Sequence, residues 1–156
     1  MTPSLAVVGG VAALEFYKKA FGAKELGREV TPSGKLVSGQ LRIGDSIILV
    51  SDVFRGSNKA APSTVETTTV TLHVYSDDVE TLWNRAVDAG AQVATPLQDM
   101  YWGERYGHLV DPFGHHWSLS MPIRLPKAVR EAKRAEAMRA FAKGEHPDKV
   151  PAFTDI

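Results

Sequence analysis

The side chains best suited to chemistry in this sequence are two histidines on strand-like runs and an aromatic–cation group between them. His73 lies in the alternating run 69–75, and His116 opens the run 116–121. Successive side chains of a strand point to opposite faces. Val70, Leu72 and Val74 therefore belong under a helix, and Thr69, Thr71, His73 and Tyr75 on the other side. In the last run Trp117 and Leu119 take the helix side, while His116, Ser118 and Ser120 take the polar one. A face that mixes imidazole, hydroxyl and aromatic groups suits a small-molecule site better than a dry core. Imidazole offers three chemistries there: a polar wall, a general base near neutral pH, or a metal ligand. No Asp or Glu stands on either run beside these histidines, so the polar wall is the expected role. Tyr101, Trp102 and Arg105 place aromatic rings and a cation in one connection, which suits a planar or anionic compound. The expected ligand-binding residues are His73, Tyr75, Trp102, Arg105, His116 and Ser118.

The elements that must hold these residues repeat. A strand near 4–8 is broken by Gly9 and Gly10. A helix follows with Ala13, Leu14, Tyr17, Ala20 and Phe21 on one face, and Gly22 stops it. Strands are expected over 25–30, 35–43 and 46–51, with Ser33-Gly34 and Gly44-Asp45 as hairpin turns. A Gly, Ser, Asn, Lys and Pro-rich stretch, 54–66, reads as a linker. The order then begins again: strand 69–75, an amphipathic helix 79–89 ended by Gly90, and strands near 92–95, 106–110 and 116–121. Gly22 and Gly90 are 68 positions apart, and the hairpin glycines Gly44 and Gly114 are 70 apart. A repeat of this kind is the signature of a duplicated unit that packs against its twin.

Composition narrows the class. The chain has 156 residues, with 18 Lys and Arg against 18 Asp and Glu. A nucleic-acid partner is not expected, because such proteins draw their affinity from a basic surplus. With no cysteine there is no disulfide frame, thiolate site or cysteine nucleophile. The apolar stretch 5–14 lacks preceding Lys or Arg and is too short to span a bilayer, so no membrane role and a cytoplasmic location are expected. A last helix over 126–143, followed by Gly144, carries a narrow apolar stripe (Val129, Ala132, Ala135, Met138, Phe141) and six basic residues against two acidic ones. It reads as a solvated arm on its own domain or on a dimer mate.

Three strings carry a family resemblance: residues 14–23 (LEFYKKAFGA), 71–79 (TLHVYSDDV), and the pair 101–108 (YWGERYGH) with 111–119 (DPFGHHWSL). Asp111-Pro112-Phe113-Gly114 is also a tight turn in its own right. Together the strings resemble the vicinal oxygen chelate superfamily, which includes glyoxalases, extradiol dioxygenases and bleomycin- and fosfomycin-resistance proteins, and within it the PhnB-like branch. The resemblance implies an α+β fold: two βαβββ modules, about 3–52 and 68–121, forming a cupped mixed eight-stranded sheet. The domain then covers 1–125 and the tail 126–156. It also implies a homodimer. Metal-dependent members carry His or Glu at four places, which correspond here to about Ser4, Ile48, Thr71 and Ser118. None is a good ligand for a catalytic divalent ion. The expected protein therefore binds a small organic molecule in a cavity without a metal or other cofactor. The alternative is a lyase, isomerase or dioxygenase of the glyoxalase type with one divalent ion at an atypical site.

Overall fold

The computed structural model describes residues 1–147; the last part of the expected tail, 148–156, lies outside the described residues. Eight strands and four helices follow in order. They are β1 (Ser4–Val7), α1 (Gly10–Phe21), β2 (Lys24–Val30), β3 (Leu36–Ile43), β4 (Ser46–Asp52), α2 (Pro62–Val65), β5 (Thr71–Tyr75), α3 (Val79–Ala89), β6 (Gln92–Asp99), β7 (Glu104–Val110), β8 (His116–Pro122) and α4 (Lys127–Ala142). The eight strands divide into two four-stranded sheets with matching orders, β1-β4-β3-β2 and β5-β8-β7-β6. In each, the first strand runs parallel to the last and the other pairs are antiparallel. The fold is thus the expected pair of βαβββ modules with a C-terminal helix.

Helix α1 packs on the first sheet, α3 on the second, and the two helices pack on each other. One core results, running from Leu5, Val7 and Leu14 through Tyr17 and Phe21 to Trp83, Trp117 and Leu119. Polar contacts cross between the modules within it. Asp111, 4% exposed, accepts hydrogen bonds from the Tyr17 hydroxyl at 2.6 Å, from Trp117 Nε1 at 2.9 Å and from the backbone N–H groups of Phe113 and His115. The Asp of the tight turn is thereby a buried tie between α1 and β8. Burial pushes the Tyr17 hydroxyl well above its ordinary pKa, and the Asp111 charge adds to the shift. His115 Nε2 donates to the Ala6 carbonyl of β1 at 2.9 Å. Arg85 of α3 donates to the carbonyls of Lys18 and Lys19, covering the open end of α1. In the first module Asp52 has a more local duty: it accepts from the N–H groups of Gly9, Gly10 and Leu36, and so caps α1.

Two local expectations change. The segment read as a linker contains the short helix α2, whose Pro62 is buried beside the β7–β8 turn. Val70, expected under a helix, precedes β5 and is 60% exposed. Leu72 and Val74 do pack against the core. Among the described residues no helix is long and apolar enough to cross a membrane.

Candidate functional site

With α1 and α3 placed between the sheets, each sheet has one face that these two helices leave free. On the second sheet the register sets residues of different strands in rows across that face. His73 of β5, Ser118 of β8 and His108 of β7 form one row. Tyr75, Ser120 and Tyr106 form the next, and Thr71, His116 and Val110 the one on the other side. The alternate positions, Trp117, Leu119, Gly107 and Leu109, are buried on the helix side.

His73 is clamped by hydroxyls. Its Nδ1 lies 2.6 Å from Ser118 Oγ and its Nε2 2.8 Å from Ser120 Oγ. A serine hydroxyl can donate or accept, so both contacts hold in either ring tautomer. Rings surround it: Tyr75 edge-on at 4.5 Å and Tyr106 nearly parallel at 6.1 Å between centroids. Trp102 stands edge-on to Tyr106 at 5.5 Å and to Tyr101 at 5.1 Å, and its indole N–H donates to Glu104 Oε2 at 2.9 Å. Tyr75 is 70% and Trp102 43% exposed, so this aromatic surface is open to a ligand. Nearby, His108 Nε2 and His116 Nδ1 are 3.0 Å apart. Burial pushes both rings below the usual imidazole pKa. The neighbouring His116 adds to this for His108. For His116, Asp111 opposes the shift and His115 reinforces it.

Of the six residues expected to bind ligand, His73, Tyr75, His116 and Ser118 share this face, and Trp102 joins it through Tyr106. Arg105 does not. Strand alternation turns it to the helix side, where Nε donates to Asp99 at 2.8 Å and Nη1 pairs with Glu80 of α3. Among the further residues of the face are Ser120, Glu104, Tyr106 and His108. Gly107 and Leu109 give the parity of β7, and with it the placement of 104, 106 and 108 opposite them.

The four family metal positions do not fit a divalent ion. Ile48 is 4% exposed in the core, paired with Leu41 on the helix side. The free-face neighbours of Ile48 are Ile47 and Leu49, neither of which can coordinate. Ser4 pairs with Leu49, Thr71 with His116, and the Ser118 hydroxyl is engaged by His73. Among the described residues no group of three or more His, Cys, Asp or Glu is placed to hold a metal ion.

Paired βαβββ modules with this order define a class, and sequence comparison supplies the family. The chain belongs to the glyoxalase/bleomycin resistance protein/dioxygenase superfamily, whose profile matches residues 5–119. Helix α4 lies beyond the match. An uncharacterised protein of Mycobacterium tuberculosis is 46% identical over 127 residues, which is 80% of this chain and 75% of that protein. TioX from Micromonospora sp. ML1 superposes with a TM-score of 0.64 at 26% identity, over 79% of this chain and 98% of that one. TnmS3, an antibiotic binding protein from Streptomyces sp. CB03234, shares the fold with a TM-score of 0.57 at 22% identity, over 78% of this chain and 93% of that one.

Proposed function

We propose that this protein, a cytoplasmic member of the PhnB-like branch, binds a planar organic molecule on the free face of its second sheet and uses no metal to do so. The observation that carries the reading is the clamped His73 ring among Tyr75, Tyr106 and Trp102. A rigid imidazole between two hydroxyls can position a polar group of a ligand, and the rings around it supply flat apolar area. His73 stands among hydroxyls and rings, and among the described residues no three His, Asp or Glu side chains are placed together to hold an ion, which favours binding over metal chemistry. A second copy of the chain completes the site by covering the open face, so the working form is a homodimer.

Intrinsic fluorescence tests the reading. A tricyclic aromatic compound that binds should quench wild-type emission, and Trp102→Phe should abolish most of that quenching. His73→Ala and Trp102→Ala should each weaken binding by roughly tenfold or less, as loss of one stacking ring or one hydrogen bond implies. Stoichiometric zinc, nickel, manganese or iron in protein purified without a metal-affinity step would overturn the metal-free part. A monomer of about 17 kDa in sedimentation at high concentration would overturn the dimer.

A further inference from the structure

We propose that the molecule held on this face is a planar aromatic cation, an inference that rests on the binding function proposed above and specifies its charge. The four strands of the second sheet contain three charged side chains other than histidine: Asp99, Glu104 and Arg105. Two of these neutralise one another on the helix side, where Arg105 donates to Asp99 and also pairs with Glu80. Glu104 remains. Its carboxylate takes the Trp102 indole N–H at 2.9 Å, which fixes it beside the Trp102–Tyr106 edge. No Lys or Arg stands on the free-face positions of β5, β7 or β8.

The remaining groups on the face favour the same sign. Ring faces of Trp and Tyr present negative quadrupole density and attract cations. The ring of His108 and that of His116 sit in surroundings that resist positive charge. An anionic ligand would meet Glu104 with no Lys or Arg among the β5, β7 and β8 positions of that face. A cationic ring would stack on the same tyrosines and place its charge against the carboxylate.

Three tricyclic probes of like size separate charge from flatness: proflavine, a cation at neutral pH; acridone, neutral; and 9-anthracenecarboxylate, an anion. Dissociation constants come from quenching of Trp102 emission, read against Trp102→Phe. Proflavine should bind about tenfold more tightly than acridone, and the carboxylate more weakly than either. Raising the salt from about 50 to about 500 mM should weaken proflavine and leave acridone unmoved. In Glu104→Gln, which keeps an acceptor for the indole, the preference for proflavine over acridone should fall about fivefold. Equal binding of all three probes, or a preference for the anion, would overturn the charge assignment and leave the binding function standing. Failure of every probe to bind would overturn both.

Discussion

In the first module Leu14 of α1 lies on Gly39 of β3, where an added Cβ would come within 2.8 Å of Leu14 Cδ2. In the second, Trp83 of α3 lies on Gly107 of β7, where an added Cβ would stand 2.7 Å from Trp83 Cη2. Each helix thus reaches its sheet over a missing side chain. Aligning the two glycines matches the ladders. Ser4, Leu49 and Gln40 form the row of the first module that corresponds to His73, Ser118 and His108 in the second. Ile47 then corresponds to His116, and Ala6 to Tyr75. The helix sides have kept one packing solution, while the free sides have diverged. One offers Ser, Leu, Gln and Ile; the other offers imidazoles and phenols. On the proposed reading, ligand binding belongs to the second module, and the first serves as its scaffold.

The largest effect expected from breaking the comparison is at the buried carboxylates. Asp111 joins the modules, and Asp52 serves its own helix. Asp111→Ala would leave the Tyr17 hydroxyl and the Trp117 N–H unsatisfied in the core, at a cost of about 4 kcal/mol. Asp52→Ala should cost about 2 kcal/mol, as for loss of a good helix cap. Urea unfolding measures both, and equal costs would show that Asp111 is no more than a turn residue.

The glycine pair comes next. Gly107→Ala must displace a flat, buried indole and should cost about 3 kcal/mol, whereas Gly39→Ala meets the flexible end of a leucine and should cost about 1 kcal/mol. A reversed order in the same unfolding experiment would mean that α3 shifts more freely on its sheet than α1.

Much of this architecture could be read from the residues. Apolar spacing located α1 and α3, and alternation put His73, Tyr75, His116 and Ser118 on one face. Alternation failed where a counting frame was missing. Ile48 and Ser118 are 70 positions apart, the spacing of the hairpin glycines Gly44 and Gly114, but the ladders match Ser118 to Leu49, 69 positions away, so Ile48 falls in the core. Arg105 is near Trp102 in sequence, but that nearness says nothing about the side of the strand it takes, which is toward Asp99 and Glu80. Asp111 was hidden by a turn motif that accounts for it without any tertiary contact. Helix-against-helix packing leaves no local mark, because either face of a sheet can be apolar enough to take a helix.

A pH experiment sharpens the comparison further, with a smaller effect. His108 and His116 correspond to Gln40 and Ile47, so the second module alone carries a paired imidazole on its free face. Both rings have pKa values below the unfolded reference of about 6.5, so below that pH the unfolded chain binds more protons than the folded one. Stability linked to these neutral rings is full above about pH 6.5 and is lost as pH falls toward the lowered values. Asp111 works against this at His116. Urea midpoints should therefore fall between about pH 7.5 and about pH 5.5, and His108→Gln with His116→Asn should flatten the slope. An unchanged slope in the double variant would assign the pH dependence to other groups.

The smallest expected effect separates two adjacent residues. Glu104 and Arg105 are neighbours in sequence, yet strand alternation sends one toward the rings and the other toward α3. Arg105 forms ion pairs with Asp99 and Glu80 near the surface, where solvent screening leaves such pairs little stabilising value. Arg105→Ala should accordingly change stability very little. Its effect on proflavine affinity should stay within about twofold, because the guanidinium lies across the sheet from the rings and its field there is screened. Glu104→Gln in the same assay should lower that affinity by more. If Arg105→Ala instead weakened binding as much as Glu104→Gln, the ligand would have to reach around the strand edge at the β6–β7 turn, and the free face would be only part of the site.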